Sequence, residues 1–419
     1  MTKRDAAATV VATKENLTVG NAAGGATGRV VVVGAGLGGH RVVTALRGSG
    51  HEGGITLVGN EDAVPYDRPP LSKQVLRTGS PPPRLGSGEE YERLGVELRL
   101  GGAAVGLEGD RSVVALADGT ELEYDSLVIA TGARARTLPF LSEAGARTLR
   151  TEKDALELRG QLSRGGRLAV IGGGFIGCEV AASARALGVD VTIVEAMPSL
   201  LTRVLGSTVG DLMRAVHEEQ GVEVLCGTNV VSARPRGSGI ALELSTGNEV
   251  VVDTVVVGIG SVPELDWIPA GTMKIDDGIL CEPSGRTTVP DVYALGDVAR
   301  WRHPRLGLGP RCEHWTATVE QAAVVAHNIV TGDSRAHDAV PYVWSDQFDT
   351  KLQVVGWPDP GDDVTIVSWG SRGRPVAVFC SHGRLTAAVG LGAAPAIARL
   401  RGLLARAEVP LETALAALG

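Results

Sequence analysis

Two sets of three glycines stand at the spacing G-x-G-x-x-G, a pattern suited to phosphate binding. They are Gly34, Gly36 and Gly39, followed by Gly172, Gly174 and Gly177. Glycine at these positions permits a tight turn, lets the backbone approach a pyrophosphate and allows the next helix to pack closely on a sheet. The N–H groups at the start of that helix then bind the phosphates. One such motif is a weak signal, but two in one chain predict two dinucleotide sites.

An acidic residue follows the second apolar run of each repeat, where it would hydrogen-bond the ribose of a dinucleotide. Glu195 lies 23 residues after Gly172, at the end of the predicted strand 191–194. Glu61 lies 27 residues after Gly34, a longer spacing than the usual one of about 20. Because Glu195 would accept hydrogen bonds from both ribose hydroxyls and repel a 2′-phosphate, the second site is predicted to prefer NADH over NADPH.

A rigid cationic segment, P-Y-D-R-P-P-L-S-K, spans residues 65–73. Its prolines forbid regular structure before Ser72, which is predicted to cap a helix. Arg68 and Lys73 give the segment the charge to hold a cofactor. The alternative is a solvated Pro-rich loop.

Two predicted strand ends carry further candidates. The buried run 127–130 leads into Thr131 and Gly132, which could bring the backbone against a cofactor, and into Arg134, which could meet a phosphate. The strand near residue 293 delivers Asp297 through a glycine to where a ribityl hydroxyl would lie. Alternatively, Asp297 caps the following helix.

The elements that position these residues alternate between strands and helices. Short apolar runs at 30–33, 168–171 and 191–194 are typical of strands buried on both faces of a parallel sheet. Residues 249–257 are predicted to form one further strand. The last segment, 333–419, shows short alternating strands and then a helix, which predicts a separate small α+β domain.

Composition restricts the class of protein. The chain has 419 residues, 44% of them apolar, and a net charge of −8, which argues against general binding to nucleic acid or an acidic membrane. No run reaches the roughly 18 apolar residues of a membrane span.

The five cysteines form no C-x-x-C pair, so neither a metal site nor a local redox disulfide is predicted. This cysteine usage favours a reduced, cytoplasmic protein, and residues 1–28 are predicted to be a disordered tail.

Together these segments resemble the FAD-dependent ferredoxin reductases of monooxygenase and ring-dioxygenase systems. The motifs are G-A-G-L-G-G, P-Y-D-R-P-P-L-S-K, A-T-G-A-R, G-G-G-F-I-G-C-E, V-Y-A-L-G-D-V-A, E-H-W and W-S-D-Q-F. The resemblance implies an α/β fold like that of glutathione reductase, with two Rossmann-like dinucleotide-binding domains and the small C-terminal domain. The implied divisions are an FAD-binding domain at 29–148 and 276–332, an NAD-binding domain at 149–275, and the C-terminal domain at 333–419.

The resemblance also implies residue roles. The first glycine motif with Arg68, Lys73, Arg134 and Asp297 would hold FAD, and the second with Glu195 would hold NADH. Lys73 and Glu179 would pair beside the flavin, where a cation stabilises the charge of its reduced form. Further cofactor contacts are predicted at the residues Val105, Phe175, Ile176, Gly260 and Trp315.

The predicted reaction is hydride transfer from NADH to FAD, followed by two single-electron transfers to an iron–sulfur ferredoxin. Ferredoxins are generally acidic, so an anionic reductase needs a local cationic surface. Its candidate residues are Arg300, Arg302, Arg305 and Arg311. The alternatives that remain open are a rubredoxin reductase, an NADH oxidase and a signalling flavoprotein of the apoptosis-inducing-factor type.

Overall fold

A computed structural model of the chain describes residues 27–359, 361–406 and 408–419. Most of the segment predicted to be a disordered tail, residues 1–26, lies outside that range. The described chain contains two units with parallel sheets and a C-terminal unit with an antiparallel sheet. The predicted α/β fold class is therefore confirmed. None of the helices in the described ranges is both long and apolar enough to cross a membrane.

The first sheet is parallel and has the valine strand Val30–Val33 at its centre, with all four side chains buried. In spatial order its strands are Val292–Ala294, Ser126–Ile129, Val30–Val33, Ile55–Gly59 and Val96–Leu100. Helices Leu37–Gly48 and Trp315–Thr331 pack on each other beside it. A small antiparallel sheet of this unit contains strands Ala104–Glu108, Val113–Leu116 and Glu121–Glu123.

In sequence, the second parallel sheet lies between strands Ser126–Ile129 and Val292–Ala294 of the first sheet. Its spatial order is Glu223–Leu225, Asp190–Val194, Arg167–Ile171 and Thr254–Val257. An antiparallel sheet beside it contains Val230–Arg236, Gly239–Leu244 and Glu249–Val252. The helices of this unit are Glu152–Leu162, Phe175–Arg185 and Thr202–Glu219, the last interrupted at Gly206.

The prediction of a single strand over residues 249–257 is wrong. The run is divided at Asp253, and its two halves belong to different sheets. The Asp253 carboxylate accepts a hydrogen bond of 2.8 Å from the Arg167 backbone N–H, which fixes the chain where it changes sheets. Only the second half, Thr254–Val257, is fully buried, but both halves are rich in valine, so their composition favours a strand in each without showing that they join different sheets.

The C-terminal unit is a five-stranded antiparallel sheet covered by two helices. The strands, in spatial order, are Tyr342–Gln347, Thr350–Gly356, Arg384–Leu391, Arg374–Ser381 and Asp363–Trp369. The helices are Ala394–Leu404 and Leu411–Ala416. Strand Tyr342–Gln347 lies at one edge and contacts helix Phe175–Arg185 of the second unit, which brings the C-terminal unit to the cofactor region.

The remaining elements connect these layers. The helical ones are Leu71–Val75, Leu76–Thr78, Gly88–Arg93, Gly109–Arg111, Pro139–Glu143 and Gly296–Val298. The short strands are Ala133–Ala135, Ser261–Pro263, Ile279–Cys281, Ala299–His303 and Gly307–Leu308. Ser72 lies inside the π-helical turn Leu71–Val75 and not at its N-cap, which is Pro70, so the predicted cap is wrong.

Candidate functional site

A cleft of about 910 Å³ is lined by both glycine turns and by residues of all three units. The first unit contributes Gly34 and Gly36, and the second contributes Gly172 and Gly174. Trp344 of the C-terminal unit lines the same cleft. Two dinucleotides bound at the two turns would therefore share one cavity.

The first glycine turn is shaped by close contacts of the backbone. Gly34 has φ 119°, and a Cβ there would lie 2.1 Å from the Ala130 carbonyl oxygen. A Cβ on Gly39 would lie 2.1 Å from the Gly34 oxygen, so only glycine lets the helix start this close to the strand. A Cβ on Gly36 would meet no protein atom within 4 Å, because its Cα faces open space. This open cradle beside an uncapped helix N-terminus fits the pyrophosphate of FAD.

The second turn repeats the same geometry. Gly172 has φ 106°, and a Cβ there would lie 2.4 Å from the Gly258 oxygen. A Cβ on Gly177 would lie 2.1 Å from the Gly172 oxygen, whereas a Cβ on Gly174 would meet only the Gly258 oxygen, at 3.9 Å. Phe175 and Ile176 begin the helix at the cleft, with Ile176 45% exposed. Gly260 lines the cleft nearby with φ 108°.

The two predicted ribose acids both line the cleft, but they have different partners. Glu195 accepts hydrogen bonds from the backbone N–H groups of Gly173 at 2.5 Å and Met197 at 2.7 Å. Glu61 accepts from the Tyr66 hydroxyl and from Arg68, each at 2.7 Å. The Arg68 guanidinium is thus held by an acid, with its other nitrogen donating to the Arg150 carbonyl oxygen at 2.6 Å.

Lys73 and Glu179 line the cleft and form a buried ion pair. The Lys73 Nζ lies 2.7 Å from Glu179 Oε2, and the side chains are 14% and 4% exposed. The carboxylate also accepts hydrogen bonds from the hydroxyls of Ser72 at 2.5 Å and Ser345 at 2.6 Å. These donors offset the cost of burying the charge. Neither serine was a candidate in the sequence, since nothing local marks a hydroxyl as the partner of a distant acid.

Asp297 lines the cleft within the turn Gly296–Val298, and its carboxylate accepts a 2.9 Å hydrogen bond from Arg150. Arg150 was missed by the sequence analysis, although it also lines the cleft. It belongs to the L-R-T segment before a helix and carries no spacing signal of its own. The pair places one cation and one anion where the ribityl chain of FAD is expected.

The segment after strand Ser126–Ile129 lies at the cleft. The Thr131 hydroxyl donates to the Glu264 carbonyl oxygen at 2.9 Å, and Gly132 has φ 73°. Arg134 is 45% exposed and pairs with the carboxylates of Glu264 at 3.1 Å and Asp266 at 3.2 Å. Its predicted contact with phosphate therefore competes with two acids at the rim.

An aromatic group closes the other side of the cleft. Trp315 donates from Nε1 to Asp67 at 3.0 Å and meets the Trp344 ring edge-on at 6.1 Å. Burial raises the pKa of Asp67, while the Trp315 hydrogen bond opposes that change. The Arg41 guanidinium lies 5.5 Å above the Trp315 ring. Val105 is 55% exposed on strand Ala104–Glu108 and is not among the described residues that line the cleft, so its cofactor contact stays a prediction.

His314 is a further residue of the cleft that the sequence analysis quoted only within E-H-W. Burial lowers its pKa to about 4, against the opposing effect of Asp297. The ring is therefore neutral at pH 7, and it meets Phe175 edge-on at 6.5 Å. This contact joins the start of the second dinucleotide helix to the first unit.

The cysteines lie away from the cleft lining. Cys178 is buried beneath the second glycine turn, with its Sγ 3.6 Å from the Gly173 carbonyl oxygen. Burial raises the pKa of its thiol well above the usual range. Cys178 therefore packs beneath the turn as a small buried thiol.

Comparisons with known proteins match this geometry. The family described as pyridine nucleotide-disulphide oxidoreductase matches residues 28–322, and a reductase C-terminal domain matches residues 342–418. The ferredoxin–NAD(+) reductase component of the anthranilate 1,2-dioxygenase system of Burkholderia cepacia is 37% identical over 91% of this chain and 95% of its own length. Putidaredoxin reductase of Pseudomonas putida is 35% identical over 87% of this chain and 88% of its own.

A solved structure shows the same architecture. The crystal structure of the covalent putidaredoxin reductase–putidaredoxin complex aligns with a TM-score of 0.85 and 32% identity, covering 94% of this chain and 99% of that one. The chain therefore belongs to the pyridine nucleotide-disulphide oxidoreductase family. Within it, the protein is an oxidoreductase of the ferredoxin–NAD(+) reductase class that uses FAD and NAD(H), which confirms the predicted class and cofactors.

A matched pair of glycine variants separates packing from ligand binding. Gly39→Ala should lower the free energy of unfolding of the FAD-free protein by about 1–3 kcal/mol, because its Cβ would overlap the Gly34 oxygen. Gly36→Ala should leave that free energy nearly unchanged but weaken FAD binding more than about tenfold, since its Cβ would enter the cradle. Denaturant titration and fluorescence titration with FAD measure the two effects. Equal FAD affinity in Gly36→Ala and the unmodified protein would contradict the assignment of the cradle.

Variants of the ion pair separate its electrostatic role from its structural one. Lys73→Met should slow anaerobic reduction of bound flavin by NADH about 100-fold, because it removes a cation aimed at developing charge. It should also cost about 3–5 kcal/mol of stability by leaving the buried carboxylate unpaired.

The double variant Lys73→Met/Glu179→Gln supplies the control, since it should recover much of the stability without recovering the rate. Stopped-flow absorbance and thermal unfolding measure the two quantities. A reduction rate that recovers together with stability would show that the lysine serves only the fold.

Proposed function

We propose that the protein carries electrons from NADH through bound FAD to an acidic iron–sulfur ferredoxin in the cytoplasm. The observation that carries the proposal is the buried pair of Lys73 and Glu179 in a cleft shared by two dinucleotide turns. When bound, FAD accepts two electrons as a hydride and passes them on singly. The chain's own residues bind both dinucleotides. They also hold the Lys73 ammonium, whose charge is balanced by Glu179, in the cleft that the two dinucleotides share.

The similarity to the dioxygenase and putidaredoxin systems supports an iron–sulfur acceptor. Thiols do not offer a competing route, because the five cysteines are unpaired and none lies on the cleft. Unpaired thiols also support a reducing compartment. The electrons must then leave to a partner at the surface, and a ferredoxin feeding a monooxygenase or ring dioxygenase fits this requirement.

The choice of NADH over NADPH is supported by the position of Glu195. Its carboxylate is held by two backbone N–H groups at the end of strand Asp190–Val194. A dinucleotide on the second turn would present its ribose to this acid, and a 2′-phosphate there would face a fixed negative charge. We therefore assign the ribose of NADH to Glu195.

The proposed docking surface includes only two of the four arginines predicted for it. Arg311 is only 5% exposed in its side chain and donates to the Asp297 carbonyl oxygen at 2.7 Å. Arg300 pairs with Asp276 at 2.6 Å and donates to the Gly309 carbonyl oxygen. Both guanidiniums thus make internal contacts, and the docking surface proposed here does not include them.

Arg302 and Arg305 are exposed on the hairpin that starts at strand Ala299–His303. The Arg305 guanidinium donates to the carbonyl oxygens of Leu404 at 3.0 Å and Asp338 at 3.4 Å, but the side chain stays exposed to a partner. Leu306 and Leu308 are exposed beside them, at 44% and 37%. Cations around an apolar centre suit an acidic protein partner. The strand follows Asp297 directly, so Arg302 lies at most about 17 Å along the chain from the cleft, at roughly 3.3 Å per residue.

Reversing both exposed charges tests the docking surface. Arg302→Glu/Arg305→Glu should raise the KM for an acidic ferredoxin about tenfold at low salt, and the effect should shrink at high salt because exposed charges are screened. NADH-to-ferricyanide activity should not change. Arg372→Glu, on an exposed turn of the C-terminal sheet, is the matched control. Ferredoxin kinetics equal to those of the control at low salt would remove this surface from consideration.

A change at the second ribose acid tests the cofactor assignment. Glu195→Ala combined with Ala196→Arg should shift the NADH-to-NADPH ratio of kcat/KM about 100-fold toward NADPH. One charge-assisted hydrogen bond is lost and another is gained, each contributing about 1.5–3 kcal/mol. Steady-state reduction of ferricyanide measures both cofactors. Better use of NADPH by the unmodified protein would refute the assignment.

A further inference from the structure

Behind the buried ion pair, hydrogen bonds continue away from the cleft through three more buried side chains. The Ser345 hydroxyl donates to Glu179 Oε1 at 2.6 Å, and Gln347 Nε2 donates to the Ser345 oxygen at 3.0 Å. Gln347 Oε1 lies 2.9 Å from His217 Nε2. Each of the three added side chains has 0% exposure. Polar groups buried this deeply are costly unless they are hydrogen-bonded.

The chain of bonds joins all three units of the structure. Lys73 belongs to the first unit, and Glu179 lies on helix Phe175–Arg185 of the second. Ser345 and Gln347 lie on the edge strand Tyr342–Gln347 of the C-terminal unit. His217 lies near the end of helix Thr202–Glu219 in the second unit. The position of strand Tyr342–Gln347 therefore affects the hydrogen bonding of the Lys73–Glu179 pair directly.

The bonds can run in only one direction. A carboxylate only accepts, so the single Ser345 proton points to Glu179 and the Ser345 oxygen must accept. Its donor is the Gln347 amide nitrogen, which turns the amide oxygen toward the imidazole. His217 must then carry its proton on Nε2, and its Nδ1 has no hydrogen-bond partner among the described residues. Burial lowers the pKa of His217, in keeping with a neutral ring and one N–H.

We propose that Ser345, Gln347 and His217 are positioning residues for the buried ion pair. Their directed chain of hydrogen bonds aims one hydroxyl proton at the Glu179 carboxylate and so offsets part of its charge. The offset leaves the Lys73 ammonium less neutralised toward the cleft, where it favours the reduced cofactor. The inference rests on the role proposed above for this pair in hydride transfer.

Truncation along the chain should give graded losses. Ser345→Ala should slow flavin reduction by NADH about tenfold, because it removes a hydrogen bond to the charged Glu179 carboxylate. Gln347→Leu and His217→Leu should slow it about threefold, because they act through Ser345. The dissociation constant for NADH should stay within twofold.

The midpoint potential of bound FAD provides a readout besides activity. It should move to more negative values in the same order as the rates, and a tenfold effect on the two-electron equilibrium corresponds to about 30 mV. A structural role alone would change the unfolding temperature and leave the potential where it was. Asp346→Asn is the matched control, since Asp346 lies between the two strand residues and is 43% exposed.

Two comparisons decide between positioning and packing. His217→Gln, which can donate to the same amide oxygen, should recover the potential lost in His217→Leu. The double variant Ser345→Ala/His217→Leu should lose no more than Ser345→Ala alone, because the imidazole acts through the hydroxyl. The proposal would be overturned if the rate losses of the two single variants multiplied in the double variant. It would also be overturned if the leucine variants had an unchanged midpoint potential.

The tautomer can be measured without any substitution. Nitrogen-15 NMR of the unmodified, histidine-labelled holoprotein should show His217 with Nε2 protonated and Nδ1 bare. A proton on Nδ1 would mean that the Gln347 amide is oriented the other way, with its nitrogen toward His217. That result would overturn the proposal even if every variant failed to fold. Failure of the broader function would appear differently, as an unmodified protein whose flavin is not reduced by NADH.

Discussion

Burying a carboxylate beside one counter-charge is the constraint on which this site depends. Glu179 is 4% exposed, and the cost of removing such a group from water is several kcal/mol unless donors surround it. Those donors are Lys73 and Ser72 from the first unit and Ser345 from the C-terminal unit. The charge is therefore stable only when all three units are assembled, which links the fold of the whole chain to the chemistry of one cleft.

The two dinucleotide turns follow from a second constraint, the closeness of backbone to backbone. At Gly34 and Gly172 a side chain would overlap a carbonyl oxygen of the neighbouring strand end, and at Gly39 and Gly177 it would overlap the turn itself. Each helix then begins without a side-chain cap, so its free N–H groups face the cleft. The same backbone arrangement can bind a permanently held cofactor at one turn and an exchanging one at the other.

Errors in the sequence analysis occurred where partners are distant in the chain. Arg311 was read as a surface charge because it stands in a run of cations, yet Asp277 and the Asp297 carbonyl enclose it. Arg150 was missed because its partner Asp297 lies 147 residues away. The run 249–257 was predicted as one strand because a valine-rich segment does not encode which of two sheets each half joins.

By itself the sequence determined the two strand–turn–helix units, the acids after them and the small C-terminal domain. These features depend on turn geometry and hydrophobic period, which are set by neighbouring residues. Only the tertiary structure decided that Ser345 and His217 belong to the site and that Arg302 is exposed while Arg311 is enclosed. Hydrogen-bond partners and burial are settled by packing between distant segments, and residue spacing along the chain carries no record of that packing.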